Sequence, residues 1–213
     1  MVSLLLDLKK LVSLGKNAAY FKAAMSGNER REDGTLIPGD ALMVKNMSGI
    51  DQPLEEMCPY VYESAVSPHL ASRIEGNPVK MDVVKEQYQK VVEKYDYVVV
   101  EGSGGIVCPI GFDEEKILLE DIMKELRIQS VLVADAGLGT INSVVLTAEY
   151  MKQRDLPVKA VIFNHFHQEN VMEKDNLFMC EHMTGIPVVS KVKDGEDELS
   201  ITEDELEKLF EVK

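Results

Sequence analysis

Apolar runs of strand length alternate along this chain with segments in which apolar residues return at helical spacing. Such alternation is typical of parallel strands joined by crossover helices. The predicted strands are residues 17–24, 97–101, 130–135, 158–164 and 187–192. The predicted crossover helices are residues 82–95, 118–126, 140–154 and 170–183. We therefore expect an α/β fold, a mostly parallel sheet with helices on both faces.

Local signals predict the remaining elements. Residues 1–11 are apolar but interrupted by charges, which indicates an amphipathic helix and not a signal peptide or membrane span. Pro68 fits the first turn of a short helix that runs to Glu75. Asp82 and Thr140 are predicted N-caps. Residues 27–56, rich in Gly, Pro, Asp and Asn, are predicted to form a long functional loop with one helical turn after Asp40.

Composition narrows the class of protein. A chain of 213 residues that is 45% hydrophobic and 28% charged fits a single packed domain over residues 1–213. Its net charge of −14 argues against a nucleic-acid or anionic-membrane partner. The sequence has an odd number of cysteines, Cys58, Cys108 and Cys180, and no CxxC pair. Neither a set of disulfides nor a zinc site is therefore indicated, and a reducing cytoplasm is expected.

Polar residues stand where the predicted strands end, the edge at which open parallel sheets bind ligands. Lys22 lies near the end of the first strand and can hold an anionic reacting group, or it can be an ordinary surface lysine. Glu101 precedes Gly102-Ser103-Gly104-Gly105, where the backbone can approach a ligand closely. Glu101 and Asp40 are candidate ligands for Mg²⁺; the alternatives are a solvated acid and an N-cap, respectively.

Two further segments are candidates for ligand binding. Residues 136–142 open a helix directly after a strand and present backbone N–H groups to an anion. They fit the dinucleotide fingerprint weakly, because Asn142 replaces its third Gly and no acid stands near Lys159. Asn164 suits a purine edge, whereas His165 and His167 lack further ligands at metal-binding spacing.

Several segments together resemble the dethiobiotin synthetase family of the biotin pathway, and they occur in the family's order from the first helix to about Val192. The matching segments are Tyr20-Phe21-Lys22-Ala23-Ala24-Met25-Ser26-Gly27, Pro38-Gly39-Asp40-Ala41-Leu42, Ser67-Pro68-His69-Leu70-Ala71, Val100-Glu101-Gly102-Ser103-Gly104-Gly105 and Gly137-Leu138-Gly139-Thr140-Ile141-Asn142. The resemblance implies a homodimeric P-loop-type α/β enzyme that uses ATP and Mg²⁺. It implies that 7,8-diaminononanoate takes up CO₂ as a carbamate, which is phosphorylated and then closed to the ring of dethiobiotin.

The resemblance also implies residue roles. Lys22 is the catalytic cation, and Asp40 and Glu101 hold Mg²⁺. The implied substrate contacts are Ser26, Gly104, Gly105, Thr140, Ile141 and Asn142, the last three reaching the substrate carboxylate across the dimer interface. The implied nucleotide contacts are Asp40, Glu101, Gly102, Ser103, Gly104, Asn164, His165, Pro187, Val188 and Val189.

One departure from the family pattern is expected to matter. The family begins with a strand and a phosphate loop ending in Gly-Lys-Thr, which this sequence lacks; Gly15-Lys16 reads as a turn. From this we expect that the sequence starts later than those of the family. We also expect exposed apolar surface on the strands that would flank the missing one. Because the phosphate loop is missing, we expect weak ATP binding and poor turnover. A noncatalytic binding or regulatory module of the same fold is the alternative, and a nicotinamide-dependent oxidoreductase is a third hypothesis.

Overall fold

A computed structural model describes residues 2–196 and 199–210, with side chains described from Leu6 onward. Contacts within the chain divide it into two compact units, one comprising Ser3–Arg127 and the other beginning at Ile128. Each unit contains parallel strands and the helices that cover them. No helix in the described part of the chain combines the length and the apolar character needed to cross a membrane.

The first unit holds the longer series of elements. Its helices are α1 (Val2–Ser13), α2 (Gly39–Ser48), α3 (Leu54–Met57), α4 (Pro68–Glu75), α5 (Met81–Val92) and α6 (Leu119–Leu126). Its strands are β1 (Ala18–Lys22), β2 (Ala24–Met25), β3 (Glu29–Arg30), β4 (Leu36–Ile37), β5 (Tyr60–Val61), β6 (Tyr97–Glu101), β7 (Pro109–Phe112) and β8 (Lys116–Leu118).

The parallel pair β1 and β6 forms the centre of this unit. Its register places Ala18 opposite Tyr97 and Lys22 opposite Glu101. All five residues of β1 are buried, whereas those of β6 are only partly buried. Because parallel strands share a direction, the register brings the side chains at both carboxyl ends to the same edge of the sheet.

Short pairings extend the unit around that centre. Strand β2 pairs in parallel with β5, while β3 with β4 and β7 with β8 form antiparallel pairs. The buried core includes Phe21, Tyr62 and Ile110, packed with apolar side chains of α5 and α6. Burial of such large apolar side chains is the main stabilising contribution to a domain of this size.

The second unit is built on the parallel sheet β11-β10-β9. Its elements are β9 (Ser130–Asp135), α7 (Thr140–Gln153), β10 (Val158–Asn164), α8 (Val171–Thr184), β11 (Val188–Val192) and α9 (Glu203–Phe210). Val161 and Phe163 of the central strand β10 are fully buried. On β9, in contrast, Val133 is 49% exposed.

Most predicted elements are confirmed. Strands β6, β9 and β10 have the predicted bounds, the opening segment is helical, and α4 runs from Pro68 to Glu75 with Ser67 as its N-cap. The α/β class with parallel strands is also confirmed, although the parallel strands are distributed over separate sheets. The assignment of the chain to one domain stays a prediction.

Three local predictions are wrong. Lys80 caps α5, so Asp82 lies in its first turn, and Gly139 caps α7, so Thr140 is its first helical residue. Residues 27–56 contain a strand pair, the ten-residue helix α2 and the start of α3 where we expected a loop with one helical turn. The buried residues of α2, Ala41, Val44 and Ser48, keep helical spacing, but the many turn-forming residues around them outweigh that signal in the sequence.

Candidate active site

Lys22, Asp40 and Glu101 meet at the carboxyl ends of β1 and β6. The ammonium Nζ of Lys22 donates to Asp40 Oδ2 at 2.7 Å and to Glu101 Oε1 at 3.0 Å. The side chains of Lys22 and Glu101 are 9% and 14% exposed, while that of Asp40 is 35% exposed. The arrangement is thus a mostly buried cation held between two acids, one of which faces solvent.

The local structure explains why these side chains converge. Lys22 is paired with Glu101 in the β1–β6 register, so both project where the strands end. Asp40 lies in the first turn of α2, which begins where the N–H of Gly39 donates to Asn28 Oδ1 at 2.9 Å. Asp40 is therefore not the N-cap, and its carboxylate is free to face Lys22.

The charge state of Lys22 follows from its surroundings. Burial by itself lowers the pKa of this ammonium, but the negative charge of Glu101 and the hydrogen bond to Asp40 outweigh it, so that its pKa lies above the usual value. Lys22 is consequently protonated at neutral pH. A protonated lysine in such a place can neutralise negative charge that develops on a reacting group.

Tyr20 is a fourth member of the group that sequence reasoning missed. Its hydroxyl donates to Glu101 Oε2 at 2.6 Å, and its ring is fully buried. Burial and the neighbouring Glu101 charge raise the pKa of this phenol, so it remains neutral. Tyr20 and Lys22 are two residues apart on β1 and face the same side, a spacing that identifies the tyrosine once Lys22 is known.

The glycine-rich segment that follows Glu101, residues 102–105, has at two of its glycines a backbone conformation or packing that other residues would not fit. A β-carbon at Gly102 would lie 2.6 Å from Leu119 Cδ2, and Gly104 has a φ of 99°. Ser103 Oγ donates to the backbone oxygen of Ala24 at 2.8 Å, which ties the segment to the chain after β1. Gly104 and Gly105 are exposed, so their backbone is accessible to a ligand.

Ser26, predicted to contact substrate, lies just beyond β2. Its hydroxyl donates to the backbone oxygen of Val66 at 2.5 Å. The donor is thus already used, and Ser26 Oγ has only acceptor capacity left for a ligand.

In the second unit, Asn164 ends β10 and His165 follows in a left-handed conformation with φ of 54°. His165 Nδ1 lies 2.8 Å from Asp135 Oδ2, and Asp135 Oδ1 accepts from the N–H of Gly137 at 2.8 Å. The hydrogen bond from His165 is the main reason that the pKa of Asp135 lies below its usual value. The carboxyl ends of β9 and β10 are therefore linked through side chains.

His167 belongs to a second set of ion pairs that the sequence did not reveal. Its Nδ1 lies 3.3 Å from Oε1 of the buried Glu173, and its Nε2 lies 3.3 Å from Asp194 Oδ2. Hydrogen bonding to Glu173 raises the pKa of His167. Neither Glu173 nor Asp194 stands at a spacing from His167 along the chain that would predict an ion pair.

The segment predicted to contact adenine lies at the start of β11. Pro187 is exposed, while Val188 and Val189 are partly buried within the strand. The Val188 N–H donates to Glu181 Oε1 at 2.8 Å, and the carbonyl of Pro187 accepts from the Val161 N–H at 2.9 Å. These two backbone groups are thus used in holding β11 in place.

Thr140, Ile141 and Asn142 form the first turn of α7. Thr140 is 4% exposed, and among the described residues its buried hydroxyl has no hydrogen-bond partner. Asn142 is exposed and Ile141 is partly buried. Since the first N–H groups of a helix have no partners within the helix, this turn offers donors to an anion.

A hard cation fits the first unit's acidic pair. Within the described residues, no group of three or more His, Cys, Asp or Glu side chains is arranged to hold a metal ion by itself. Mg²⁺ does not need three protein ligands, because it is commonly held by one or two carboxylates together with substrate phosphates and water. Asp40 and Glu101 already share one cation, the Lys22 ammonium, so their oxygens converge as such a site requires.

Comparison with known proteins identifies the family. A family model described as an AAA domain matches residues 2–197. The ATP-dependent dethiobiotin synthetase BioD of Brachyspira hyodysenteriae is 48% identical over 204 residues, or 95% of this chain and 89% of that protein. The protein of the same name from Clostridium novyi is 47% identical over 195 residues, or 88% of this chain and 80% of that protein.

Solved structures identify the fold. A ParA family ATPase from Chlorobium tepidum aligns with a TM-score of 0.53 at 13% identity, covering 91% of this chain and 78% of that chain. The MinC:MinD cell division protein complex of Aquifex aeolicus aligns with a TM-score of 0.52 at 11% identity, covering 91% and 76%. At such low identity these structures establish the α/β fold of P-loop NTPases and nothing more. The similarity to the two synthetases goes further, and the chain belongs to the dethiobiotin synthetase family.

Proposed function

We propose that this protein is an ATP-dependent dethiobiotin synthetase of biotin biosynthesis. One amine of 7,8-diaminononanoate attacks CO₂ and loses a proton, giving a carbamate. A carbamate oxygen then attacks the γ-phosphorus of ATP, and ADP leaves. The second amine attacks the carbonyl carbon of this mixed anhydride and loses a proton, phosphate leaves with the bridging oxygen, and a cyclic urea remains. The sequence similarity to named synthetases supports this reaction.

The observation that carries the proposal is the cation of Lys22 held between Asp40 and Glu101. Attack of a carbamate on ATP brings two anions together, so the step requires positive charge near the oxygens that change bonding. Lys22 is protonated and mostly buried, and this makes its charge more effective than it would be in water. It is therefore assigned as the catalytic cation.

Mg²⁺ is assigned to Asp40 and Glu101, on the donor chemistry of that pair. When bound, the ion supplies charge neutralisation at the phosphate oxygens of ATP. The two carboxylates come from different elements, Asp40 from α2 and Glu101 from β6. Asp40 is the more exposed of the two acids, and Glu101 is the more buried. If the ion were held by these two acids, Lys22 would be available to neutralise charge on the reacting group.

Each of the two units contributes further contacts to nucleotide and substrate. In the first unit, Gly102, Ser103 and Gly104 contact nucleotide phosphates through the exposed backbone after β6, and Ser26, Gly104 and Gly105 contact substrate. In the second unit, Asn164 and His165 with Pro187, Val188 and Val189 contact adenine. The turn of Thr140, Ile141 and Asn142 binds the substrate carboxylate, a role supported by the buried hydroxyl of Thr140 that lacks a described partner.

A cytoplasmic homodimer is proposed as the working form. All three cysteines are free, in keeping with a reducing compartment. Leu138, just before α7, is 93% exposed and Leu146 within α7 is 62% exposed, so both apolar side chains are available to contact another surface. A partner subunit seated on α7 would cover both.

The reaction is tested by following dethiobiotin and ADP together. We expect the purified protein to form both in equal amounts, only when diaminononanoate, bicarbonate, ATP and Mg²⁺ are all present. Glu101→Gln removes the charge of one acid and should lower the rate by about 10²-fold or more. Binding of diaminononanoate or nucleotide without any product would instead favour a noncatalytic module of the same fold.

A further inference from the structure

We propose that Tyr20 is a positioning residue for Glu101. Its phenol holds one carboxylate oxygen, Oε2, so that the other oxygen, Oε1, faces the shared cation position. This inference rests on the proposed function, because it concerns the acid assigned to Mg²⁺. It assigns to a buried strand residue a role in metal affinity.

The contacts divide the Glu101 carboxylate into two halves. Oε2 accepts from the Tyr20 hydroxyl at 2.6 Å, while Oε1 accepts from Lys22 Nζ at 3.0 Å. The two donors come from alternate positions of β1, and Glu101 is itself registered against that strand. One strand therefore supplies both groups that orient the carboxylate.

The two donors differ in kind. Lys22 is a cation at the end of a flexible stem, shared with Asp40, and it must give up Oε1 if a metal ion is to bind there. The phenol of Tyr20 is neutral, so it orients Oε2 without cancelling the charge that attracts the ion. Tyr20 can therefore hold Glu101 in the same way whether or not Lys22 keeps its bond to Oε1.

Tyr20 itself is held firmly. The side chain is fully buried, and its backbone N–H donates to Oε1 of the buried Gln52 at 2.8 Å. Glu101 is the last residue of β6, so the strand pairing that fixes its backbone ends at this position. A fixed hydrogen-bond donor behind a metal ligand orients that ligand and so raises the affinity of the site.

The test compares Tyr20→Phe with Tyr62→Phe. Tyr62 is a matched control, because it is also fully buried and its hydroxyl donates to the backbone oxygen of Asn77 at 2.7 Å, not to a carboxylate. Mn²⁺ binding by the 213-residue protein is measured with a non-hydrolysable ATP analogue by water-proton relaxation, which distinguishes the ternary complex from Mn²⁺ on nucleotide alone. We expect Tyr20→Phe to raise the Kd for Mn²⁺ by about 10-fold or more and Tyr62→Phe to leave it unchanged.

Two further readouts separate positioning from simple structural support. The Mg²⁺ concentration for half-maximal dethiobiotin formation should rise in Tyr20→Phe by the same factor, with the rate recovered at saturating Mg²⁺. In a Glu101→Gln background, where the metal ligand is already lost, Tyr20→Phe should have no further effect on the Kd for Mn²⁺. Thermal unfolding of both tyrosine variants should show similar losses.

The outcomes are distinguishable from failure of the proposed function. Equal Mn²⁺ affinity in Tyr20→Phe and wild type overturns the role of Tyr20 even if dethiobiotin is made. An effect of Tyr20→Phe that persists undiminished in Glu101→Gln also overturns it, as does a wild-type protein that binds no Mn²⁺. Weaker Mn²⁺ binding in Tyr20→Phe, in a wild-type protein that makes no dethiobiotin, would leave the positioning role standing and remove only the proposed reaction.

Discussion

Asp7 of α1 carries a carboxyl group whose Oδ1 is buried and has no hydrogen-bond partner among the described residues. Burial raises the pKa of Asp7 from 3.8 to about 7. Because the folded value lies above the unfolded one, folding is favoured most below about pH 4, and that advantage is lost as the pH rises towards 7. The stability of the protein should therefore fall across this range.

Asp7→Asn tests that account, since an amide of similar shape has no charge to bury. The difference between 3.8 and about 7 sets an upper limit of about 4 kcal/mol, at about 1.4 kcal/mol per pH unit. We expect Asp7→Asn to raise the free energy of unfolding by about 2 kcal/mol or more at pH 8 and to flatten its pH dependence, as measured by urea titration. The exposed Glu86→Gln serves as control, and the same flattening in both variants would contradict the assignment.

Sequence reasoning at the residue scale found Lys22, Asp40 and Glu101 because each stands near a predicted strand end or a glycine-rich turn. It did not find Tyr20, whose position in an apolar strand looks like ordinary core and whose partner Glu101 lies 81 residues away along the chain. It also gave weight to Asp40 as an N-cap, whereas Pro38 holds that position. Such pairings depend on strand register, which the sequence does not display.

At the scale of the element, the glycine segment after β6 requires a glycine at position 104. Gly104 has a φ of 99°, and an added β-carbon would lie 3.4 Å from Cys108 Sγ. Gly104→Ala should lower the free energy of unfolding by about 1 kcal/mol or more, because side chains rarely adopt this backbone conformation. It should also raise the KM for ATP several-fold, as steady-state kinetics would show.

Gly49→Ala is the matched control for this change. Gly49 also has a positive φ, 78°, but it ends α2 and an added β-carbon would meet nothing within 4 Å. It should lose comparable stability with no change in KM. If Gly49→Ala and Gly104→Ala raise the KM for ATP equally, the segment has no particular part in nucleotide binding.

Elements with a strong repeating pattern were predicted well, and short ones were not. The apolar run of Val98, Val99 and Val100 ending at Glu101 defined β6, and helical spacing located α7 and α8. Strands β7 and β8 were not predicted, and the ten-residue helix α2 was predicted only as one turn after Asp40. Strands of four residues or fewer show too little alternation, and their pairing is decided by contacts elsewhere in the fold.

At the scale of the whole molecule, the proposed homodimer predicts that α7 is an interface. Leu146→Asp would place a charge there and should shift the protein from dimer to monomer in sedimentation experiments, with loss of activity. Ile74→Asp is the matched control, because Ile74 is also 62% exposed and helical, on α4. Dimers that survive Leu146→Asp, or dissociate equally in Ile74→Asp, would place the interface elsewhere.

In the proposed reaction, ATP phosphorylates a carbamate in the site of Lys22, Asp40 and Glu101. The most direct measurement is the fate of oxygen when the reaction is run with ¹⁸O-labelled CO₂ and the phosphate is analysed by mass spectrometry. Because a carbamate oxygen becomes the bridge to phosphorus and leaves with it, the account predicts one CO₂-derived ¹⁸O in each phosphate and the loss of this transfer in Glu101→Gln. Dethiobiotin formed alongside phosphate that carries no ¹⁸O would contradict it.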